Sequence, residues 1–377
     1  MREVLPDLLA WWRAGEAVGM GTVVGTWRSA PRQPGAVMLV GPDESAVGSV
    51  SGGCVESAVY ALAQQVVAQD RPVLQRYGVS DHDASSVGLT CGGILDVFVE
   101  KVSKQTFPEL AEIAADIDAG RALAIATVVE HLDATRVGQR MIIRPAEDSH
   151  ICGSLGSERV DAAVADDVRG LLATGKSELL TYGPEGQRRG EGMRVFAASF
   201  APRPRMLVFG AIDFAAAVAR LGTFLGYRVT VCDARPVFAT QTRFPDAHEV
   251  IVDWPHRYLA AQAAAGRIDS RTVVCVLTHD PKFDVPVLEV ALRLPYLGYV
   301  GAMGSRRTHQ DRLQRLREAG LSDIEIGRLS SPIGLDLGAR TPEETAVSIG
   351  AEIVSQRWGG KGSRLSELSG RIHHTAS

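Results

Sequence analysis

No stretch of this chain approaches the ~20 consecutive apolar residues that a membrane-spanning helix needs, so a helical membrane protein is not expected. Cysteine is sparse and odd in number. Cys54, Cys91, Cys152, Cys232 and Cys275 are scattered over 377 residues with no C-x-x-C pair. That argues against a disulfide framework and for a reducing, cytoplasmic setting. It argues against zinc too, because no two cysteines or histidines at ligand spacing are matched by a second pair. Charge of one sign is also lacking: 40 Lys and Arg stand against 44 Asp and Glu, a net of −4. A nucleic-acid binder working by bulk positive charge is thereby excluded, although a local basic site is not. The first residues, Met1 to Asp7, are charged and show no signal-peptide pattern. There is no G-x-S-x-G elbow, P-loop or H-E-x-x-H motif, and no internal repeat or low-complexity segment is visible.

What is present is ordinary globular composition, 45% apolar and 22% charged, with chain enough for two or three domains. The expected fold class is α/β: an N-terminal α+β domain over 1–200, a Rossmann-like doubly wound parallel sheet over 203–358, and a polar tail over 359–377. In the first domain, residues 5–12, 55–68 and 109–117 read as helices. Residues 18–27, 37–40, 47–50, 94–99 and 122–129 read as strands, rich in Val and Thr and bounded by Gly and Pro. Their topology cannot be chosen from the pattern. The glycine-rich stretch 183–194 reads as a surface hairpin loop, and Ala201-Pro202-Arg203-Pro204 as a stiff linker. Beyond it, short apolar runs at 206–209, 229–232, 249–252, 273–277 and 297–300 alternate with turns and helices, the signature of βαβ units. Thr341-Pro342-Glu343-Glu344 is a capping box opening a last helix.

A doubly wound sheet binds ligands at the carboxyl ends of its strands. Those ends carry Gly210 and Asp213, Asp233, His279 and Asp280, then Gly304-Ser305-Arg306-Arg307. Asp213 and Ser305 admit a reading as plain N-caps. Two arginines opening a helix oppose its dipole, and a bound phosphate would compensate. The first turn, Gly210-Ala211-Ile212-Asp213-Phe214-Ala215, departs from the G-x-G-x-x-G/A fingerprint because Ile212 replaces the glycine that admits a pyrophosphate. Asp233 stands where a ribose hydroxyl would be held.

The first domain offers different cues. Ser51-Gly52-Gly53-Cys54-Val55-Glu56 follows a strand and opens a helix, so Cys54 would lie near a helix N-terminus, where a thiolate is favoured. Cys91-Gly92-Gly93 repeats the theme, and Arg32 sits in the turn Ser29-Ala30-Pro31-Arg32. A buried, inert thiol is the commoner fate of such a cysteine. Cys232 and Cys275, inside apolar strands, read as core, and Cys152 stays undecided.

These segments resemble the XdhC/CoxI family, the accessory factors of xanthine dehydrogenase and related molybdenum hydroxylases. Besides the cysteine loops, the resemblance rests on residues 298–307, on Ser331-Pro332-Ile333-Gly334-Leu335-Asp336, and on Gly338-Ala339-Arg340-Thr341-Pro342. The departure at Ile212 resembles the CoxI-like branch. The resemblance implies a cofactor-maturation chaperone rather than an enzyme with its own turnover. Such a factor binds the molybdenum cofactor (molybdopterin), assists its sulfuration, and delivers it to an apo-hydroxylase, with a cysteine desulfurase as a further partner and a homodimer allowed. On that reading Cys54 meets molybdenum or its sulfur ligand and Cys91 supports it. Gly52, Gly53, Gly92 and Gly93 shape the pocket together with Glu56 and Arg32, Arg306 and Arg307 hold a phosphate, and the ligand lies between the domains. Two other readings stay open. One is an NAD(P)-dependent oxidoreductase with Asp233 on the ribose and His279 as acid or base. The other is an assembly adaptor that binds proteins and no small molecule.

Overall fold

The computed structural model describes residues 1–27, 32–78, 93–145 and 151–369. It divides into two units between Pro202 and Arg203, within the proline-bearing stretch read as a linker.

The first unit runs α1 (Leu5–Ala14), β1 (Val18–Trp27), β2 (Val37–Val40), β3 (Ala46–Gly48), α2 (Glu56–Gln69), β4 (Val73–Tyr77) and β5 (Ile94–Val102). The same order then recurs: α3 (Leu110–Asp118), β6 (Leu123–His131), β7 (Arg140–Ile143), β8 (Ile151–Gly153), α4 (Glu158–Thr174), β9 (Glu178–Tyr182) and β10 (Met193–Phe200). The two halves build two antiparallel sheets of identical topology, β3-β2-β1-β5-β4 and β8-β7-β6-β10-β9. The unit is therefore an internal duplication, which corrects the expectation that no repeat exists. The correspondence reaches single residues. Each central strand pairing shifts register at the same place, skipping Val24 in one half and Val129 in the other. Gly48 and Gly153 both sit at φ near +85°, and a Cβ on either would lie 2.3 Å from a carbonyl oxygen, that of Val37 or of Arg140. The sequence conceals the repeat because backbone geometry constrains only such positions, while two-residue periodicity is satisfied by many side chains.

Packing follows from the alternation of each strand. One face of the first sheet buries Val23, Leu95, Val97 and Val99 under Val59, Ala63 and Val66 of α2. One face of the second buries Ala124, Ala126, Val195 and Ala197 under Val160, Val164 and Val168 of α4. The opposite faces meet each other, through Val24, Phe98, Val129 and Phe196, and through a larger cluster that adds Leu8 of α1 and Ile113 of α3. Two acidic residues of β5 lie on this meeting face. Asp96 accepts from Arg76 Nε at 2.6 Å and from Arg194 Nη2 of the facing sheet at 2.8 Å, and Glu100 accepts from Arg140 of the facing sheet. The stretch before β10 is a hairpin connection, as expected.

The second unit comprises β11 (Arg205–Phe209), α5 (Asp213–Phe224), β12 (Arg228–Asp233), β13 (Glu249–Val252), α6 (Pro255–Ala264), β14 (Val273–Val276), α7 (Pro281–Arg293), β15 (Tyr299–Ala302), α8 (Arg306–Glu318), α9 (Asp323–Ile326), β16 (Leu329–Ser330) and α10 (Pro342–Trp358). Its six parallel strands run β13-β12-β11-β14-β15-β16, the doubly wound order with the reversal beside the first strand. Helices α5 and α10 cover one face, and α6, α7 and α8 the other. The Thr341 capping box forms, its hydroxyl accepting from Glu344 N. This is the Rossmann-like sheet the alternating pattern predicts; β16, two residues long, is too short to be read from the sequence.

Candidate functional site

Residues 49–55 connect β3 to α2 and are organised by one side chain. Glu56 Oε1 accepts from Ser49 Oγ at 2.6 Å and from the backbone N–H groups of Ser51 at 2.9 Å and Gly52 at 3.0 Å. Its Oε2 accepts from Ser51 Oγ at 2.5 Å and from Gly53 N at 2.8 Å. Ser51 Oγ in turn accepts from Cys54 N at 2.9 Å and Val55 N at 3.0 Å. Burial raises the Glu56 carboxyl, but these hydroxyl and backbone donors outweigh it and bring it down to about 2. A run of converging N–H groups is a ready anion site; here the protein's own carboxylate fills it.

Glu56 therefore positions the loop, whose glycines stay exposed. Gly52 and Gly53 have φ of +79° and +119°, are exposed, and a Cβ on either would meet no heavy atom within 4 Å. Their conformation, not crowding, calls for glycine. Cys54 is half-buried, packed against the cluster beneath α2.

The second repeat also places a carboxylate at this corner, but its helix starts earlier, at Glu158 after the N-cap Ser157. Gly156-Ser157-Glu158-Arg159-Val160-Asp161 replaces Ser51-Gly52-Gly53-Cys54-Val55-Glu56. Asp161 Oδ1 accepts from Leu155 N at 2.7 Å, as Glu56 Oε1 does from Val50 N at 3.3 Å. Both repeats anchor the corner with a carboxylate, and the left-handed Gly52-Gly53 pair followed by a thiol occurs in the first alone.

Other expected residues lie apart. Arg32 forms an ion pair with Glu3 at 3.4 Å and lines a cavity between the two sheets, which Gly52, Gly53, Cys54 and Glu56 do not line. Gly93 is buried at the start of β5. Cys91, Gly92 and Ser29-Ala30-Pro31 lie outside the described residues. Cys152 is half-buried in β8, and Cys232 and Cys275 are buried strand residues, as expected. Among the described residues no three His, Cys, Asp or Glu side chains converge as metal ligands.

In the second unit, Gly210 has φ +114° and a Cβ there would meet Thr278 Cγ2 at 2.6 Å, so the turn after β11 presses against the end of β14. Ile212 is the N-cap of α5 and Asp213 its first residue, exposed and paired with Arg243 at 3.2 Å. Asp233 is buried and fully engaged. It accepts from Ala211 N at 2.7 Å, from Arg235 N at 2.9 Å, and from Arg235 Nε and Nη2 at 2.9 and 2.8 Å. Burial raises its carboxyl, and these donors bring it below the usual range. Asp280 caps α7, accepting from Lys282 N at 3.1 Å, and His279 is exposed. Ser305 caps α8, accepting from Thr308 N at 3.1 Å; Gly304 precedes it, and Arg306 and Arg307 are exposed on the first turn.

Beneath this rim lies a group that the sequence did not disclose. Arg312 Nη2 donates to Asp284 Oδ2 at 2.9 Å and to Met303 O at 2.7 Å, Arg312 Nη1 donates to Ser331 Oγ at 3.0 Å, and Thr278 Oγ1 donates to Asp284. Burial pushes the Asp284 carboxyl up, against the pull of Thr278 and Arg312. The network ties the ends of β14, β15 and β16 to α7 and α8, and only spatial proximity joins its members.

Comparison with known proteins places these features in one family. The model described as the XdhC and CoxI family matches residues 11–78 and 116–183, one stretch in each repeat. The model described as the XdhC Rossmann domain matches residues 206–353. A protein of Bacillus subtilis described as a probable xanthine dehydrogenase component is 26% identical over 91% of this chain and 93% of its own length. A molybdenum cofactor insertion chaperone, PaoD, of Escherichia coli is 27% identical over 91% of this chain and 85% of its own. A crystal structure described as a xanthine dehydrogenase, from Bacillus halodurans, shares the fold with a TM-score of 0.68 over 97% of both chains at 24% identity. With one family model on both repeats and its companion on the parallel sheet, the chain belongs to the XdhC and CoxI family.

Proposed function

We propose that this protein is an accessory factor that binds the molybdenum cofactor and assists its sulfuration and insertion into a xanthine dehydrogenase- or CO dehydrogenase-type molybdenum hydroxylase. The observation that carries the reading is the Gly52-Gly53-Cys54 loop. Both repeats anchor this corner with a carboxylate, Glu56 or Asp161, and only the first carries an exposed Gly-Gly pair followed by a thiol. A soft sulfur on a surface without side chains suits a molybdenum or sulfido group on a bulky organic carrier. The similarity to a molybdenum cofactor insertion chaperone supports the same reading. Cys54 contacts the metal or its sulfur ligand, with Cys91 as a supporting group, and Glu56 fixes the loop. In the second unit Arg306 and Arg307, cations at a helix start, suit a phosphate group. The partners are an apo-hydroxylase and a cysteine desulfurase, and the setting is the cytoplasm. No helix among the described residues is long and apolar enough to cross a membrane.

The test is retention of released molybdenum cofactor after desalting, measured for the purified wild type, Cys54→Ala, and the Arg306→Ala/Arg307→Ala pair. The wild type retains cofactor and both variants lose it. Equal retention by Cys54→Ala removes the thiol from the site, and no retention by the wild type ends the reading.

A further inference from the structure

Helix α10 carries an apolar stripe that the proposed function does not use. Its inner side, with Ala346, Ile349 and Ile353, is buried in the cluster that covers the parallel sheet. Its outer side bears Val347, Val354 and Trp358, which are 53%, 41% and 46% exposed, and the partly exposed Ala351 lies between the two valines. At about 100° per residue, these four positions stay within about 40° of the direction of Val347. Single exposed apolar side chains are ordinary, but a continuous stripe over three turns marks a surface that meets another protein. The neighbouring helix extends the surface. A Cβ on Gly350 would lie 2.6 Å from Leu221 Cδ2 of α5, so the two helices pack closely into one layer. Three residues beyond Leu221, Phe224 ends α5 at 83% exposure.

The stripe is symmetric about its own centre. Val347 and Val354 are equidistant from the midpoint between Gly350 and Ala351, and so are Glu343 and Trp358. Charge follows the same symmetry, with Glu343 exposed at the start of the helix and Arg357 exposed at its end. Both fall on one flank of the stripe, about 40° and 80° from Val347. We propose that this face is occupied by a second copy of the chain, with α10 packed antiparallel against α10 about a two-fold axis through that midpoint. Val347 then meets Val354 of the second copy, and the small Ala351 meets its own counterpart, which lets the helices approach. A two-fold axis across the helices keeps each flank facing itself with the ends exchanged. Glu343 therefore lies opposite Arg357 of the second copy, and the pair occurs twice. A parallel arrangement would bring the two acidic helix starts together instead. The two α5 helices complete a four-helix layer. The inference is independent of the cofactor reading, which uses neither helix.

The experiment is sedimentation velocity of the full-length protein over a concentration series. It compares the wild type with Val354→Lys, Glu343→Arg, Arg357→Glu and the double variant Glu343→Arg/Arg357→Glu. The wild type sediments at twice the chain mass in the micromolar range. Val354→Lys is monomeric up to about 100 μM, while its circular dichroism and melting temperature stay unchanged because the position is exposed. Each single charge reversal raises the dimer dissociation constant roughly tenfold, since two ion pairs become two like-charge contacts. The double variant restores the dimer, which damage to the fold would not do. A wild type that stays monomeric at about 100 μM, a dimer unchanged by Val354→Lys, or a double variant no tighter than the single ones overturns the proposal.

Discussion

Arg159 occupies in the second repeat the place that Cys54 occupies in the first, one residue before the buried valine and two before the carboxylate that anchors the corner. The backbone differs there: Cys54 lies in the bend before α2, which starts at Glu56, whereas Arg159 is the second residue of α4, which starts at Glu158. The cysteines of the molecule likewise differ in setting: Cys232 and Cys275 fill strand interiors, and Cys54 stands just before a helix.

That separation is measurable. Burial, together with Asp253 and Asp233, pushes the Cys232 thiol up to about 12, and burial with Glu352 does the same to Cys275. The native protein treated with a maleimide at pH 7 therefore labels at Cys54 while Cys232 and Cys275 stay unmodified until denaturant is added, as read by peptide mass spectrometry. Labelling of Cys275 before Cys54 contradicts the assignment. Cys54→Ala changes unfolding free energy by less than about 1 kcal/mol, because the thiol is only half-buried.

Glu56 gives the molecule an acid-sensitive corner. Its folded-state carboxyl lies at about 2, below the usual 4.5. A depressed carboxyl stabilises the fold above its unfolded value and loses that contribution as pH falls through the folded one. The stabilisation is complete above about pH 5 and disappears between roughly pH 4.5 and 2, amounting to about 1–2 kcal/mol once solvent screening of a partly exposed group is allowed for. Urea denaturation of the wild type and Glu56→Gln from pH 7 to pH 3 reads it directly. The variant is less stable at pH 7, and the gap narrows with acid. A gap that stays constant with pH shows that the charge is immaterial.

Arg312 and Asp284 have side chains 3% and 4% exposed, so removing one leaves the other charged and buried. Arg312→Ala costs about 3–5 kcal/mol in the second unit, seen as a lowered urea midpoint. Arg306→Ala, on an exposed position of the same helix, stays within about 0.5 kcal/mol. Equal effects of the two would place Arg312 outside any structural network.

The nicotinamide reading has a direct check. Four donors occupy the Asp233 carboxylate and Ile212 takes the place of the second fingerprint glycine, leaving neither a ribose acceptor nor a bare turn. Titration with NAD(H) and NADP(H) gives no heat up to millimolar concentration. Micromolar binding would restore an oxidoreductase.

In the first unit α1, α2 and α3 and the strands β1, β2, β3, β5 and β6 were legible to within a few residues, because burial on one face imposes periods of 3.6 and 2 that survive substitution, while α4 and the strands β4 and β7 to β10 were not read. The Rossmann-like class of the second unit followed from alternation, and its strand order did not. The Gly52-Gly53-Cys54 segment stood out because glycines after a strand and before a helix have few other uses. The role of Glu56 did not stand out, since a carboxylate at a helix start reads equally as a dipole partner. Glu100 left a trace, falling two residues beyond Phe98 on the same strand face, yet nothing linked it to Arg140, 40 positions on.

By itself the sequence determined what is local: which segments coil or extend, where the chain changes from an α+β to an alternating pattern, and which short motifs tie it to a family. Tertiary structure alone decided the duplication, the cavity between the sheets, the Arg312–Asp284 network and the engagement of Asp233. Each of these depends on which distant strands become neighbours, and strand pairing is set by the summed burial of whole faces rather than by any residue that a linear reading can single out.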